Sequence, residues 1–315
     1  MHNDFLTRKP NMKCSYDTYR NVVNSMNISF TKHGQEKGEE CIRFAQKYPE
    51  HATENDPKYE DCQSILVHLE RAKQAGDEYK RHINTSKIDQ DTSYYSADLQ
   101  KVIMLPRMDT LKTVMFTRSI IVFNESFVPL AGTNNDDDDN GRSIAVIWHE
   151  VIAGRKQEDL IPAFLPFFLK KMDKKKIFLW LDNCAAQNKN WTLLSFITYL
   201  VNSDEVATEE IQLNYFEKGH TLILADSFYH QVELSLKIKR MCMTLMFSRT
   251  LLRSSKTLKC GFPTVEKRTR VRGIPQEKKE DIIKTLFPLM SKNRLKFWTD
   301  IEVSDVPDLV HSYEM

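Results

Sequence analysis

The hydrophobic pattern of the chain changes character near residue 93. Before that point, the segments GEECIRFAQKY and DCQSILVHLERAKQAGDEYKRHI carry apolar residues at intervals of three and four, which predicts amphipathic helices. After it, runs rich in β-branched and aromatic residues predict three successive strands, at 94–105, 114–123 and 143–149. The chain is therefore predicted to begin with a mainly helical region and to continue into a sheet.

Strands and helices alternate in the next part of the chain. The pattern predicts helices at 158–172, 191–201 and 226–239, and strands at 176–182 and 210–216. The run IFLWL has no polar face, so it predicts a central strand that is buried on both sides. Three strands followed by alternating helices and strands is the element order of the ribonuclease H-like fold. We therefore predict an α/β fold with a ribonuclease H-like mixed sheet flanked by helices.

Length and composition indicate a folded protein with several parts. The 315 residues include 41% hydrophobic side chains, enough for a sizeable core. The predicted parts are a helical region at 1–93, a catalytic core at 94–239, and a basic segment with a helical region at 240–315. The six cysteines are scattered without a C-x-x-C pair, and the N-terminus lacks the apolar stretch of a signal peptide. We therefore expect a nuclear or cytoplasmic protein that is neither secreted nor bound to a membrane.

One segment is strongly basic, although 45 basic and 43 acidic residues leave the whole chain near neutrality. Residues 237–272 contain eleven Lys or Arg and a single acid, Glu266. Such a segment predicts contacts with the phosphates of DNA, and its alternative interpretation is a solvated charged tail. The predicted DNA-binding residues are Lys267, Arg268, Arg270 and Arg272.

Three acids stand where the predicted fold could use them together. Asp98 lies in an apolar strand, where a carboxylate needs a partner, and Asp182 follows the most hydrophobic strand. Asp226 shares one face of a predicted helix with His230 and Glu233, at positions i, i+4 and i+7. Each has a simpler explanation when taken alone. Asp98 could make a turn contact at a strand end, and Asp182 could be a helix N-cap. Asp226 could cap its helix or belong to a solvated polar face.

Taken together, the acids predict a site for divalent cations. In a ribonuclease H-like sheet, acids of the first strand, the fourth strand and the segment after the fifth strand meet at one end. Carboxylate oxygens suit Mg²⁺ or Mn²⁺ better than zinc. Two such cations can activate a water or a 3′-hydroxyl and stabilise the leaving oxygen of a phosphodiester.

Several motifs resemble a known family. The segments WHEVIAGRKQEDL (148–160), LWLDNCAAQNKN (179–190) and YFEKGHTLILADSFYHQVE (215–233) are similar to the core of DDE-type transposase-like proteins, which are transposon-derived animal proteins with a ribonuclease H-like catalytic domain. The upstream segments NISFTKHGQEKGEEC and SADLQKVIMLPRM and the downstream segment RGIPQEKKEDIIKTL extend the resemblance over residues 16–298.

The resemblance implies a metal-dependent enzyme that hydrolyses and transfers DNA strands at transposon ends or target DNA, and that acts as a homo-oligomer. It implies Asp98 and Asp182 as the first two acids. In the wider superfamily the third acid lies near the start of the helix after the last strand, which favours Asp226, with Glu233 as the alternative. The implied supporting residues are Asn183, His220 and His230.

The resemblance also implies a zinc-binding insert before the catalytic core, with paired cysteines and histidines. In this chain Cys41 is followed at +3 by Phe44, and Cys62 is followed at +3 by Ile65, so the close pairs are missing. The predicted ligands of a structural zinc ion are therefore four separated residues, Cys41, His51, Cys62 and His68.

Two other functions stay open at the level of sequence. A catalytically silent, domesticated DNA-binding or interaction protein could keep the fold, and the missing cysteine pairs and the irregular basic segment favour it. A ribonuclease or structure-selective nuclease would use the same two-metal site, so the sequence does not separate it from a transposase.

Overall fold

A computed structural model of the chain describes residues 14–25, 38–49, 61–89, 91–100, 102–108, 112, 116–131, 143–170, 174–204, 206–221, 223–230, 241–242, 271–289 and 292–307. The chain divides into two compact units, residues 1–52 and 53–315. The long helix that the sequence predicts in the N-terminal region belongs to the second of these units.

The first unit contains two short helices, α1 (Tyr16–Ser25) and α2 (Glu39–Lys47). Before α1, the Ser15 hydroxyl oxygen accepts a hydrogen bond from the Thr18 N–H at 3.1 Å, which satisfies a donor of the first turn. In α2, acids in the first turn and a lysine in the last turn complement the helix dipole. The helix predicted from GEECIRFAQKY is confirmed.

The second unit is mixed α/β. Its described helices are α3 (Cys62–Thr85), α4 (Gln157–Lys170), α5 (Trp191–Val201), α6 (Gln276–Leu286) and α7 (Lys292–Thr299), and residues 224–230 are also helical. Its described strands are β1 (Thr92–Leu99), β2 (Ile103–Leu105), β3 (Arg107–Met108), β4 (Ile120–Pro129), β5 (Ile144–His149), β6 (Lys176–Leu181), β7 (Glu210–Tyr215) and β8 (Met241–Cys242). None of the helices in the described part of the chain is long and apolar enough to span a bilayer.

Six of these strands form one open, mixed sheet. β1 is antiparallel to β4 and parallel to β6, and β6 is parallel to β7. β5 pairs with residues 122–127 of β4, so β1 and β2 share the opposite edge of β4. The order across the sheet is therefore β5, β4, β1 with β2, β6 and β7. The predicted central position of β6 is confirmed, since it lies between β1 and β7.

The second strand of the sheet was predicted six residues too early. The sequence predicts it at 114–123, whereas β4 runs from Ile120 to Pro129. The polar triplet Asn124, Glu125 and Ser126 resembles a strand end, yet all three side chains are buried in the middle of β4. The first predicted strand is also interrupted, because β1 ends at Leu99 and β2 begins only at Ile103.

Helices cover both faces of the sheet, as predicted. α4 and α5 lie on one face, where the rings of Phe127 and Phe167 stack with centroids 4.3 Å apart. α3, α6 and α7 cover the other face, where Tyr79, Trp180 and Trp298 are buried. Each face therefore has its own apolar core, and together they fix the sheet between two helical layers.

The C-terminal segment 271–307 returns to the end of β5. The Gly273 N–H donates to the Val151 carbonyl at 2.8 Å, and the Arg272 N–H donates to the Ile152 carbonyl at 3.4 Å. Gly273 has φ of 75°, and a Cβ atom there would lie 2.6 Å from the Ser304 Oγ atom. Only glycine fits this close approach.

Candidate functional site

Two of the predicted acids lie side by side at one end of the sheet. The parallel strands β1 and β6 pair Ser96 with Trp180, so two residues further along Asp98 stands next to Asp182. Side chains alternate along a strand, and Tyr94 and Trp180 both belong to the core under α3. Asp98 and Asp182 therefore lie on the α3 face of the sheet.

Asp98 holds its proton unusually tightly. Burial raises its pKa, and the carboxylates of Asp182 and Asp226 raise it further, to about 7. Because Asp182 and Asp226 both act on the pKa of Asp98, the three carboxylates, which come from separate elements, lie close enough to repel one another. Because like charges in a partly desolvated site repel strongly, a proton or a cation is needed to relieve the cluster.

The loop after β6 holds the carboxylate of Asp182. Its Oδ1 atom accepts hydrogen bonds from the Cys184 N–H at 3.3 Å and from the Asn188 side-chain amide. The backbone carbonyl of Asn188 accepts a further bond from the Tyr215 hydroxyl at 2.8 Å. The N-cap of α5 is Asn190, so the alternative interpretation of Asp182 as a helix N-cap is wrong.

Two side chains from other elements fix the start of the helical segment 224–230. The hydroxyl of Tyr79 on α3 accepts a hydrogen bond from the Leu224 N–H at 3.1 Å. The side-chain amide of Gln100, directly after β1, donates to the Ala225 carbonyl at 3.3 Å. Both bonds act on backbone groups immediately before the third predicted acid and so position it.

Asp226 is the third residue of that helical segment and is exposed. Its Oδ2 atom accepts a hydrogen bond from the Ile223 N–H at 3.4 Å, as an acid at the third helical position often does. The capping role considered for this residue is therefore present. The same carboxylate also contributes to the raised pKa of Asp98, after burial and Asp182.

A fourth acid was not anticipated from the sequence. Burial raises the pKa of Glu125 well above its usual range, and Asp98 and Asp182 act in the same direction. Alternation along β4 puts Glu125 on the face of Phe123 and Phe127, opposite Asp98. The sequence signal for this site is a glutamate between two phenylalanines, Phe123 and Phe127. It was missed because the predicted strand ends at residue 123, before Glu125.

The chemistry of the site follows from its donor atoms. Asp98, Asp182 and Asp226 offer carboxylate oxygens, which are the ligands preferred by hard cations such as Mg²⁺ and Mn²⁺. Of the other predicted residues, Asn183 is half-buried beside Asp182, and His230 is exposed one turn after Asp226. The predicted alternative third acid, Glu233, lies outside the described residues.

His220 belongs to a different cluster. Its Nε2 atom lies 3.1 Å from the Nε2 atom of His68, and the Nδ1 atom of His68 lies 3.2 Å from a carboxylate oxygen of Glu217. His68 thus has a partner that the predicted zinc set did not include. Of the other predicted zinc ligands, Cys62 is buried at the start of α3, Cys41 belongs to the first unit, and His51 lies outside the described residues.

Arg272 is used within the fold. Its guanidinium donates to the Pro307 carbonyl at 2.7 Å and to the Glu150 carbonyl at 3.4 Å, and its side chain is 17% exposed. The prediction that Arg272 binds DNA therefore conflicts with its position. The other predicted DNA-binding residues, Lys267, Arg268 and Arg270, lie outside the described residues.

Comparison with known proteins gives one match. Residues 141–290 match a protein family described as a domain of unknown function, DUF7869. The matched part contains Asp182 and Asp226 and begins after Asp98. No curated protein and no solved structure matches the chain. The chain is thus similar to DUF7869 over slightly less than half of its length.

Proposed function

We propose that this chain is a transposase-derived enzyme that cuts and joins DNA phosphodiesters through a two-cation site held by Asp98, Asp182 and Asp226. The observation that carries the proposal is the convergence of these three acids from β1, the end of β6 and the segment after β7. Burial and, after it, the repulsion from the other two carboxylates raise the pKa of Asp98 to about 7, and bound cations would relieve that repulsion.

The strand order supports a ribonuclease H-like assignment for the fold. An antiparallel set of three, β5, β4 and β1, is continued by the parallel strands β6 and β7. In this assignment Asp98 belongs to the first strand and Asp182 to the fourth. Asp226 follows the fifth strand, the position that the third acid takes in the resembled superfamily.

The chain's own residues would prepare the site in three ways. The Cys184 N–H and the Asn188 amide keep one oxygen of Asp182 fixed, which leaves its other oxygen for a cation. Tyr79 and Gln100 set the backbone before Asp226. Because the pKa of Asp98 is raised to about 7, part of the cation-free protein carries a proton on Asp98 near neutral pH, and a bound cation would displace that proton. Bound Mg²⁺ or Mn²⁺ would supply activation of the attacking oxygen and stabilisation of the leaving one.

DNA is the proposed substrate because the basic segment 237–272 belongs to the same chain as the acid site. A copy of the chain bound at each transposon end is the proposed assembly. A ribonuclease or structure-selective nuclease would use the same acids, so the choice of substrate is tested together with the activity.

The competing proposal is a catalytically silent DNA-binding or interaction protein that keeps the fold. One observation favours it: Asp182 Oδ1 and Asp226 Oδ2 already accept hydrogen bonds within the protein. In that case the acids would serve to hold the loop after β6 and the segment 224–230, and no cation would be needed.

The deciding experiment is cleavage and joining of labelled DNA by the purified full chain in Mg²⁺, Mn²⁺ or EDTA, with an RNA–DNA hybrid as second substrate. We expect cation-dependent DNA cleavage that Asp182→Asn lowers by more than about a hundredfold, the order seen when one electrostatic stabiliser is removed. Asp204→Asn, an exposed acid just after α5, is the matched control and should keep full activity. Inactivity of the parent chain with every cation would favour the silent protein, and preference for the hybrid would favour a ribonuclease.

The third acid is tested by a pair of variants. Asp226→Asn should abolish cleavage while leaving folding and DNA binding intact, whereas Glu233→Gln should have little effect. The opposite pattern would transfer the role to Glu233.

A further inference from the structure

A second polar cluster joins α3 to the turn after β7. His68 on α3 meets Glu217 and His220, which are 149 and 152 residues away in sequence. His68 is 5% exposed, and the side chain of Glu217 is 21% exposed. Two imidazoles and a carboxylate thus come together in a largely desolvated position, apart from the three acids.

The Nε2 atoms of the two imidazoles lie close enough together to bind one metal ion. Their Nε2 atoms are 3.1 Å apart, and the rings are inclined by 58° with centroids 4.9 Å apart. Two nitrogens bound to one tetrahedral zinc ion at 2.0–2.1 Å lie about 3.3 Å from each other.

Glu217 sets the state of His68 that such a site requires. Its carboxylate is 3.2 Å from Nδ1, so Nδ1 carries the proton and Nε2 keeps its lone pair towards His220. A carboxylate behind a histidine is the common arrangement at zinc centres, where it orients the ring and increases its basicity.

We propose that His68 and His220 bind a zinc ion through their Nε2 atoms and that Glu217 orients His68 for this purpose. Imidazole nitrogen selects zinc over Mg²⁺, so this site is chemically distinct from the carboxylate cluster. The proposal does not depend on nuclease activity, because it rests on other residues and another class of metal. It revises the zinc set predicted from the sequence by adding His220, which follows β7.

A zinc ion here would fasten the turn after β7 to α3. That turn contains Gly219, with φ of 76°, and leads directly to the segment that carries Asp226. A second bond joins α3 to this segment, since the Tyr79 hydroxyl accepts the Leu224 N–H four residues after His220. The ion would therefore reduce the freedom of the backbone that precedes the third acid.

The experiment measures zinc in the purified full chain by mass spectrometry, after zinc loading and dialysis, with affinity from competition against a chromophoric chelator. We expect about one zinc ion per chain at this site. His220→Gln should lose it, and Glu217→Gln should weaken the affinity by about 10- to 100-fold. His230→Gln, an exposed histidine ten residues later, is the matched control and should retain the metal. Because His68 is buried, His220→Gln is the deciding variant if His68→Ala does not fold.

A second readout does not need variants. Cobalt loaded in place of zinc should show the visible absorption of a tetrahedral site, and zinc should slow amide exchange in residues 217–224. Zinc content unchanged in His220→Gln, or no zinc retained by the wild-type chain, would overturn the proposal. Asp182→Asn should keep its zinc, so failure of the nuclease proposal and failure of this one are separately visible.

Discussion

Lys278 Nζ lies 2.8 Å from Glu150 Oε1, and both side chains are completely buried. The same oxygen of Glu150 accepts the Ile121 N–H at 2.8 Å, so this carboxylate joins α6, the end of β5 and the start of β4. The pair is 128 residues apart in sequence. It holds the C-terminal helices against the sheet on the α3 face.

Removing one partner of this pair should be costly. Lys278→Met leaves the buried Glu150 carboxylate without its closest cation, since Arg272 Nη1 is 3.9 Å from Oε2. We expect a loss of about 3 kcal/mol in the free energy of unfolding, measured in urea. The double variant Glu150→Gln with Lys278→Met should be clearly more stable than the single one, because the fully buried carboxylate is removed together with its closest cation. Lys284→Met on the exposed side of α6 is the control. Equal effects of the two lysine variants would contradict the role given to the pair.

The acid cluster should make the cation-free protein less stable as the pH rises. The folded pKa of Asp98, about 7, exceeds its ordinary value of 3.8, so the folded state binds the proton more tightly. The stability that results is fully present below the unfolded pKa and is lost as the pH rises through the folded pKa. Between pH 4 and 8 in EDTA, the unfolding free energy of the wild type relative to Asp98→Asn should fall by up to about 4 kcal/mol.

Comparing the two proteins removes an opposing contribution. Burial lowers the pKa of His149 to about 4, which destabilises the fold at acid pH in wild type and variant alike. Parallel stability curves for the two proteins would show that Asp98 does not have the raised pKa. Adding Mg²⁺ at pH 8 should restore stability to the wild type more than to the variant.

Tyr79 should affect activity without touching a cation. Tyr79→Phe removes the acceptor of the Leu224 N–H, so we expect a loss of about 1 to 3 kcal/mol in stability and faster amide exchange at residues 223–226. Because Asp226 follows, cleavage should weaken and should recover partly at high Mg²⁺ concentration. Tyr199→Phe, on the exposed face of α5, is the control. A change in stability with no change in exchange near Asp226 would refute this positioning role.

The basic residues should separate into two classes. Replacing Lys267, Arg268 and Arg270 together by Gln should lower the salt dependence of DNA binding, by about 0.9 in log–log slope for each phosphate contact that is lost. Arg272→Gln should reduce thermal stability instead, because its guanidinium binds two backbone carbonyls. Salt-independent DNA binding by the wild type would contradict the phosphate contacts expected of the first three residues. An unchanged melting temperature of Arg272→Gln would contradict the stabilising role of Arg272.

The parts of the fold that could be predicted are those whose signal is local. β6 was found because IFLWL has no polar face, and Asp182 stood out because it ends that run. β4 was misplaced because its polar triplet, Asn124 to Ser126, is buried between two strands from other parts of the chain, β1 and β5. The burial of Lys278 could not be predicted either. The pattern of KKEDIIKTLFPLM indicates an amphipathic helix, and a lysine on such a helix is expected on its solvated face, whereas the tertiary structure buries Lys278.

In the candidate site, too, the residues with a local sequence signal could be predicted, and those that act through distant contacts could not. Acids could be assigned to strand ends from the sequence, but Asn188, Tyr79 and Gln100 act through hydrogen bonds that no spacing reveals. His220 was expected beside the acids because it lies in the same motif as Asp226, and the turn at Gly219 instead brings it to α3.

The late position of Lys278 has a consequence for how the protein is made. β5 leaves the ribosome long before α6, because Lys278 comes 128 residues after Glu150 and synthesis at about 5 to 20 residues per second takes roughly 6 to 26 seconds over that length. During that interval Glu150 has no cation partner and the face of β4 and β5 under α6 is open to water. We therefore expect the nascent sheet to be a target for chaperones, and chains truncated before residue 271 to be insoluble even though they contain all three acids.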